Sequence, residues 1–431
     1  MKTASIVSPL LFCTFAAFLG SGRAQADAPV AGKSSLTIPA GTKFINGTGQ
    51  LPVNGNTFKA PGFTSQGYLE VCEDAGPTVN FIGLNFSEAT LTIKSSYKTD
   101  HLAPLTRITY ATRNKELGLT CGPDETRVAP YEFYVSDAMP LTVKAGQRLI
   151  LRNFVPLDND TTIGCGIISG SEQRSDGRWP YGNVIGEKDR TLDPELEADW
   201  KTSSDLLCVP AFMVGQGVRE DARFVVAFGD SLTFQLTKDK DGPWFQYAFQ
   251  DVPHANVAVG GDALNNLFTP EGNLTSPLQE CRFQLAQYAT DVLNFYGHND
   301  IGNGQTAEGM LKLDRIFCAR PEIKSIRKWR CTLTPFTRNM PGVDPAKLED
   351  ADQTPDKTSG EIIAFNKAVR KDYRDLGYAG ILEIGGTLAR GEDSPYWKPS
   401  MAPDGTHFGK VPANELLKPV VRTLLDAPAT R

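Results

Sequence analysis

The pattern of hydrophobic and polar positions changes once along the chain, near residue 220. Before that point, short segments alternate apolar with polar residues and are separated by turn-rich stretches; four such segments are residues 91–94, 107–110, 132–135 and 148–152. Many short strands separated by turn residues predict an antiparallel sandwich or barrel, and we expect residues 27–220 to form a β-rich, sandwich-like domain and a linker.

Beyond residue 220, the pattern predicts strands that alternate with helices. Residues 224–228 form a continuous apolar run, which is typical of a parallel strand buried on both faces. Further strands are predicted at residues 256–259, 292–296, 329–333 and 379–384, and helices at residues 277–288, 307–318, 361–376 and 413–425. This alternation predicts an α/β fold for residues 221–431, with a parallel sheet covered by helices on both faces.

The first 26 residues have the pattern of a cleavable signal peptide. Lys2 supplies a short basic region, residues 6–19 form an apolar run, and the Ala-Gln-Ala at residues 24–26 fits a small-residue cleavage site. The run is too short for a membrane-spanning helix. We therefore expect a secreted or periplasmic protein that begins near Asp27 and has no integral membrane segment.

Export changes what is expected of the cysteines. Seven cysteines follow residue 26, and an oxidising compartment favours disulfide bonds. We expect three bridges and one buried thiol, although the spacing does not reveal the pairing. No Cys-x-x-Cys pair or Cys/His cluster has the spacing of a zinc site, so neither a metal nor a cofactor is expected.

Charge and length limit the classes of protein and partner. The 431 residues carry a formal charge of −6, and 40% are hydrophobic and 22% charged, which is ordinary for a globular protein. Binding to a nucleic-acid backbone requires a concentrated basic face, so no nucleic-acid partner is expected. The length is sufficient for two or three domains, and the oligomeric state stays open.

Four short blocks in the second half contain the residue types of an ester-cleaving site. They are Gly229-Asp230-Ser231-Leu232, Gly260-Gly261, Gly297-His298-Asn299-Asp300 and Asp404-Gly405-Thr406-His407. The first three blocks follow predicted strands. Because ligands bind beyond the carboxyl ends of parallel strands, we expect the topology of the sheet to bring these blocks together.

Each block supplies a different part of acyl transfer through serine. Ser231 is the candidate nucleophile and His407 the candidate base, because a neutral imidazole takes up a proton near pH 7. Asp404 can hold that imidazole in its reactive tautomer. The N–H groups of Ser231 and Gly261 and the Asn299 amide are candidate donors to an oxyanion. Taken singly, each residue also has a purely structural interpretation. Ser231 fits a helix cap and Gly261 a tight turn. Asp404 fits an Asp-Gly turn, and Asn299 fits an amide that caps a loop.

The remaining histidines and four aromatic residues have less direct interpretations. His101 is expected in a surface loop, His254 in a polar turn, and His298 at the border of the site without a part in the chemistry. Four aromatic side chains could line a sugar-facing cleft, although filling a core or domain interface is favoured: Trp179, Tyr181, Tyr396 and Trp397.

The four blocks, in this order, resemble those of the SGNH hydrolases, also called GDSL esterases and lipases. The resemblance covers about residues 221–431 and implies a flavodoxin-like, three-layer α/β/α fold. It gives catalytic roles to the family's Ser, Gly, Asn, His and acid positions, which are here Ser231, Gly261, Asn299, His407 and Asp404. The sequence departs from many relatives in lacking a glycine soon after Leu232. The first half matches no motif, although some secreted carbohydrate esterases have a similar two-part layout.

These observations predict a secreted serine esterase that hydrolyses carboxylic esters through an acyl-enzyme, with O-acetylated carbohydrate as the favoured substrate class. A lipase or lysophospholipase is the alternative within the same chemistry. A non-catalytic carbohydrate- or surface-binding protein is the alternative from another class, and the presence of Ser231, Asp404 and His407 together argues against it.

Overall fold

The computed structural model describes most of the chain from residue 36 onward. The described residues are 36–50, 54–58, 61–85, 87, 89–99, 103–157, 161–165, 182–194, 196, 212–234, 244–339, 344–408 and 410–427. They belong to one compact unit, Ser35–Arg431. The signal peptide predicted at residues 1–26, His101, Trp179 and Tyr181 lie outside the described residues, and the signal peptide stays a prediction.

The regular elements in the described part of the first half are almost all strands. The strands are β1 (Lys43–Phe44), β2 (Asn46–Gln50), β3 (Asn54–Phe58), β4 (Gly62–Val71), β5 (Thr78–Leu84), β6 (Leu91–Lys98), β7 (Thr106–Arg107), β8 (Glu125–Val128), β9 (Phe133–Val135), β10 (Met139–Pro140), β11 (Arg148–Pro156), β12 (Thr161–Cys165), β13 (Gly182–Ile185) and β14 (Phe212–Gly215). One short helix, α1 (Ala111–Glu116), interrupts them.

The second half alternates strands and helices, as the sequence predicts. The strands are β15 (Val225–Gly229), β16 (His254–Asn256), β17 (Asp291–Phe295), β18 (Arg327–Cys331), β19 (Thr337–Asn339), β20 (Gln353–Pro355) and β21 (Gly380–Leu382). The helices are α2 (Ser231–Phe234), α3 (Trp244–Ala248), α4 (Pro277–Ala286), α5 (His298–Gly302), α6 (Ala307–Ala319), α7 (Ser359–Leu376), α8 (Ile384–Leu388) and α9 (Lys410–Asp426). The chain is therefore a mixed α/β protein.

Helix boundaries follow local capping chemistry. The Ser276 side chain accepts a hydrogen bond from Gln279 N at the start of α4, and Pro277 occupies the first turn, where its missing N–H costs nothing. Thr306 caps α6 in the same way. Helix α7 ends at Gly377, whose φ of 97° lies in the left-handed region that glycine tolerates.

Five parallel strands form one part of a twelve-stranded sheet. Their order is β21-β18-β17-β15-β16, and every neighbouring pair is parallel. All residues of β15 and β17 are buried, which explains the continuous apolar run of β15. The predicted parallel sheet of the second half is therefore present, and its carboxyl edge carries the first three sequence blocks.

The same sheet continues into the first half of the chain. Strand β2 pairs in parallel with β16 and antiparallel with β4, and the order then runs β4-β11-β6-β7. Strands β4 and β11 share a nine-residue antiparallel register, from Gly62 opposite Pro156 to Glu70 opposite Arg148. A second, five-stranded antiparallel sheet contains β1, β14, β5, β10 and β9. The division at residue 220 and the three-layer arrangement stay predictions.

The hydrophobic core crosses the predicted boundary as well. Phe44, Ile82, Phe133 and Phe212 belong to the same buried cluster as strands β15 and β17. The Phe44 ring stacks on the Phe224 ring at a centroid distance of 4.1 Å. A second cluster contains only side chains of the first half. Strands on both sides of residue 220 therefore stabilise one another by apolar burial.

The prediction of three disulfide bonds is wrong for the described cysteines. Five of them are free thiols: Cys72, Cys121, Cys281, Cys318 and Cys331. All but Cys121 are buried, and burial raises the pKa of each buried thiol to about 12. A thiol packs in a core as a small hydrophobic group, which explains cysteines at these positions without pairing. The Cys165 side chain and Cys208 lie outside the described residues.

Within the described ranges, no helix is both long and apolar enough to cross a membrane.

Candidate active site

Ser231 lies in the turn between strand β15 and the short helix α2. The turn is tight, because a Cβ on Gly229 would lie 2.1 Å from Thr233 Oγ1. The carbonyl oxygen of Asp230 accepts hydrogen bonds from Thr233 N (3.1 Å) and Phe234 N (2.9 Å), which fixes the start of the helix. The partly exposed Ser231 side chain is therefore presented at the carboxyl edge of the sheet.

Ser231, His407 and Asp404 form one continuous chain of hydrogen bonds. Ser231 Oγ lies 2.9 Å from His407 Nε2. His407 Nδ1 lies 2.9 Å from Asp404 Oδ2. The other oxygen of Asp404 accepts hydrogen bonds from Thr406 N (2.8 Å) and His407 N (2.7 Å). The structure thus joins three residues that the sequence separates by up to 176 positions.

The Asp404 carboxylate determines the tautomer of His407. Because a carboxylate only accepts hydrogen bonds, His407 Nδ1 carries the proton and Nε2 offers its lone pair to the serine hydroxyl. The hydrogen bond with Asp404 raises the pKa of His407 above its usual 6.5. Burial by itself would raise the pKa of Asp404, but hydrogen bonds from His407 and from Thr406 N hold that pKa below the usual 3.8.

The loop that carries Asp404 and His407 is supported from two sides. Gly405 O accepts hydrogen bonds from Thr337 N (2.9 Å) and from the buried indole of Trp397 (3.0 Å). Gly405 has a φ of 80°, and a Cβ there would lie 2.1 Å from Thr337 O. Only glycine meets both conditions without strain. The loop therefore holds the imidazole in place although His407 itself is half exposed.

Gly261 follows strand β16 and faces open space. The chain continues beside β15 after the strand ends, because Val257 N and Val259 N donate to Ala227 O (2.9 Å) and Gly229 O (3.0 Å). Gly261 is exposed, has a φ of 77°, and has no atom within 4 Å of where a Cβ would be. Gly261 is thus open to solvent beside the sheet edge.

Asn299 lies in the first turn of α5, directly after strand β17. One hydrogen of its amide donates to Asp262 O over 2.8 Å, which leaves the second amide hydrogen for another acceptor. Gly297, just before this helix, has a φ of 138°, and a Cβ there would lie 2.9 Å from Leu333 Cδ1. Glycine therefore allows the strand to turn directly into the helix.

Two backbone donors at this edge have no acceptor among the described residues. Ser231 is the first residue of its helix, and the leading N–H groups of a helix have no partner within the helix. The described residues contain no backbone hydrogen bond from Gly261 N. With the second amide hydrogen of Asn299, three donors lie at the ends of the adjacent strands β15, β16 and β17.

Asp230 is a buried carboxyl beside the serine that sequence reasoning left without a role. Its Oδ1 accepts a hydrogen bond from Leu232 N (2.9 Å), and its buried Oδ2 has no partner in the described protein. Burial raises the pKa of Asp230 to about 7, an effect opposed by the Leu232 N–H. The one signal in the sequence is its place in the Gly-Asp-Ser block.

The two other described histidines remain neutral at physiological pH. His298 is buried, and its Nε2 lies 3.0 Å from Thr334 O. His254 is also buried, and its Nδ1 lies 2.8 Å from Val252 O. Burial lowers the pKa of each to about 4. The prediction that His254 lies in a polar turn is wrong. His254 belongs to strand β16, and its ring packs against that of Phe245 in helix α3.

Of the aromatic residues considered for a cleft, one supports the site from inside. Trp397 is fully buried and donates to Gly405 O, as described above. Tyr396 is only partly buried. The favoured interpretation of Trp397 as a packed side chain is therefore correct, and it supports the loop of His407.

The described residues contain no group of three or more His, Cys, Asp or Glu side chains arranged to hold a metal ion.

Comparisons with known proteins give structural neighbours only. No protein-family model and no curated protein sequence matches the chain. Among solved structures, the chain is similar to a protein assigned to the lipolytic G-D-S-L family from Desulfitobacterium hafniense DCB-2, with 14% identity over 47% of this chain and 99% of that chain and a TM-score of 0.34. It is also similar to an acetylxylan esterase from Geobacillus stearothermophilus, with 12% identity over 48% of this chain and 96% of that chain and a TM-score of 0.31. Similarities this low carry no conclusion about the function.

Proposed function

We propose that the protein is a serine ester hydrolase of the SGNH type, in which residues 221–431 carry the catalytic machinery. The single observation that carries this proposal is the hydrogen-bonded chain from Ser231 Oγ through His407 to Asp404, with both links at 2.9 Å. Nucleophile, base and orienting carboxylate are within the distances that proton transfer requires. The N–H groups of Ser231 and Gly261, at the same sheet edge, are the proposed backbone donors to the oxyanion.

In the acylation step, His407 acts first as a base and then as an acid. Ser231 Oγ attacks the ester carbonyl carbon while His407 Nε2 takes its proton. The carbonyl oxygen becomes an oxyanion, which the N–H groups of Ser231 and Gly261 and the Asn299 amide stabilise. One such donor is worth about 3–4 kcal/mol of transition-state stabilisation. His407 then protonates the departing alcohol, and the carbon–oxygen bond of the ester breaks to leave an acyl-enzyme.

Deacylation repeats these roles with water. His407 Nε2 takes a proton from a water molecule, whose oxygen attacks the acyl carbon, and the same donors hold the second oxyanion. His407 returns the proton to Ser231 Oγ, which releases the acid. The cycle needs His407 neutral at its start, so activity falls as the pH decreases through the pKa of His407, which lies above 6.5.

We further propose an O-acetylated carbohydrate as the substrate class. The side chains of His407 and Asp404 are 48% and 56% exposed. An open site of this kind leaves room for a bulky, polar alcohol, whereas a long acyl chain requires an enclosed apolar pocket. The proposed export of the chain agrees with a polysaccharide outside the cell.

A panel of esters tests this proposal. The purified protein should hydrolyse p-nitrophenyl acetate faster than the butyrate and octanoate, and should release acetate from acetylated xylan or pectin. Ser231→Ala is the control for non-enzymatic hydrolysis. A preference for octanoate would replace the carbohydrate proposal by a lipase. Absence of turnover on every ester would contradict the enzymatic proposal and favour the binding protein.

A further inference from the structure

A buried cluster of polar side chains connects the loop of Gly261 to the end of strand β17. The cluster consists of Asp262, Arg282 and Tyr296, which are at most 8% exposed. The Tyr296 hydroxyl donates to Asp262 Oδ2 over 2.7 Å. Arg282 Nη1 donates to the same oxygen over 3.0 Å, and Arg282 Nη2 donates to the Tyr296 hydroxyl. Every pair within the cluster is therefore hydrogen-bonded.

The cluster contacts both of the oxyanion donors that lie outside the serine turn. Asp262 follows Gly261 directly, and its carbonyl oxygen accepts the hydrogen bond from the Asn299 amide. Tyr296 lies three residues before Asn299, on the other side of Gly297. A movement of Asp262 would therefore displace the Gly261 N–H and the Asn299 amide together.

Strand β15 also contacts the cluster. The Arg282 guanidinium lies 5.2 Å from the centroid of the Phe228 ring, and Phe228 immediately precedes Gly229 in the serine turn. Arg282 comes from helix α4, so one helix side chain contacts the ends of strands β15 and β17 and, through Asp262, the loop that follows β16. The same guanidinium lies 5.8 Å from the centroid of the Tyr296 ring.

A second set of hydrogen bonds fixes the rest of the loop that follows Gly261. Asp300 Oδ2 and Oδ1 accept hydrogen bonds from Leu264 N and Asn265 N, both at 2.9 Å. These two N–H groups open the short 3-10 helix Leu264–Asn266, where a carboxylate is a favourable cap. The segment after Gly261 is thus fixed to the segment around Asn299 by four hydrogen bonds.

Stability alone does not account for a charged pair at this position. Burying a carboxylate and a guanidinium costs desolvation free energy that apolar side chains of the same volume would not cost. Donors to an oxyanion, in contrast, require placement within a few tenths of an ångström, which a hydrogen-bonded network provides.

We propose that Asp262, Arg282 and Tyr296 are positioning residues that fix the Gly261 N–H and the Asn299 amide as oxyanion donors. This inference rests on the proposed function and deepens it. The cluster does not contact the substrate. It acts on the transition state through the two donors, so its loss lowers kcat and leaves KM nearly unchanged.

Tyr296→Phe is the most direct test, because it removes only the hydroxyl that donates to Asp262 and accepts from Arg282, and so breaks the side-chain link between Asp262 and the end of strand β17. Complete loss of one oxyanion donor lowers kcat by about 10²–10³. Displacement of two donors without their loss should lower kcat for p-nitrophenyl acetate about 10–100-fold, with KM within about threefold of the wild type. The acid limb of the pH–rate profile should not move, because His407 and Asp404 are untouched.

Tyr110→Phe is a matched control. Tyr110 is also fully buried, and its hydroxyl donates to Ser95 Oγ over 2.8 Å. It belongs to the second hydrophobic cluster, which contains only side chains of the first half. Both variants lose a buried phenolic hydrogen bond and should lower Tm by a similar few degrees, yet Tyr110→Phe should keep kcat within about threefold.

Each outcome decides the inference. A kcat for Tyr296→Phe within threefold of the wild type, or an equal loss in both tyrosine variants, would overturn it. If Tyr296→Phe does not fold, Asp262→Asn takes its place, because the amide keeps the side-chain shape and removes the charge that Arg282 pairs with; the same kcat loss is expected. If the wild type hydrolyses no ester, both the proposed function and this inference fail, whereas an active wild type with an equally active Tyr296→Phe contradicts the inference alone.

Discussion

The candidate site contains two groups of residues, a reacting layer and a supporting layer, whose charges differ in exposure to water. The reacting layer, Ser231, His407 and Asp404, is open: the His407 and Asp404 side chains are 48% and 56% exposed. The supporting layer is buried and consists of Asp230, Asp262, Arg282, Tyr296 and Asp300, each at most 8% exposed. Water screens the His407–Asp404 pair, so that pair contributes little to stability and serves orientation. The buried groups have no such screening, and their placement depends on the fold.

Removal of the base from the reacting layer is the test of this difference with the largest expected effect. His407→Ala should lower kcat for p-nitrophenyl acetate by at least about 10⁴-fold, because no other described imidazole can take the serine proton. Its Tm should change by no more than about 2 °C, since the side chain is half exposed. Steady-state kinetics and thermal melts measure both. A residual kcat above 1% of the wild type would place the base elsewhere.

Asp404→Asn tests orientation within the same layer and should have a smaller effect. An asparagine amide can donate to His407 Nδ1, which favours the tautomer with a proton on Nε2, and that tautomer cannot accept the serine proton. Loss of kcat in the range of about 10³–10⁴-fold is expected. Asp74→Asn is a suitable control, because exposed Asp74 also accepts a backbone and a side-chain hydrogen bond, from Ala145 N and Lys144, far along the chain from the site. A loss below tenfold for Asp404→Asn would refute the orienting role.

Asp230→Asn tests the supporting layer through the pH dependence of stability. The pKa of Asp230 is about 7 in the folded protein against a usual 3.8, so the folded state binds more protons between these values. Stability therefore falls as the pH rises from about 4 to 7 and stays at the lower level above. Asparagine does not titrate. The free energy of unfolding of Asp230→Asn, relative to that of the wild type, should therefore rise by ~2–4 kcal/mol between pH 5 and pH 8.

Urea unfolding at the two pH values measures this difference. The matched control is Asp356→Asn, because a hydrogen bond from Thr358 N lowers the pKa of Asp356 and moves its titration further below pH 5. Its relative stability should be flat over the same interval. If the Asp230→Asn curve is equally flat, the buried carboxyl does not have the raised pKa that its burial causes.

The parallel strands could be predicted from the sequence, because burial on both faces leaves an unbroken apolar run. Strand β17, Asp291–Phe295, lies within one residue of its prediction. Strand β16 begins two residues earlier than predicted, because buried His254 does not continue the apolar pattern. Strand β2 has the sequence Asn-Gly-Thr-Gly-Gln, with no apolar side chain. No hydrophobic pattern could place it between β16 and β4, so the continuity of the sheet was not predictable.

The reacting layer is visible in the sequence because its residue types are chemically specific and lie in short blocks. The supporting layer is not. Arg282 is one arginine within a helical pattern, and its two partners in the cluster, Asp262 and Tyr296, lie 20 positions before and 14 positions after it along the chain. Trp397 and Thr337 support the His407 loop through one carbonyl oxygen, that of Gly405. Such contacts follow from tertiary structure, and no local pattern encodes them.

Covalent labelling of the folded wild type by a fluorophosphonate, followed by mass-spectrometric mapping of the modified peptide, tests the central claim most directly. The geometry of Ser231 and His407 predicts one adduct per chain, on Ser231, and no adduct after Ser231→Ala or denaturation. An unlabelled wild type, under conditions in which a known serine esterase reacts completely, would contradict the claim, as would an adduct on any other residue.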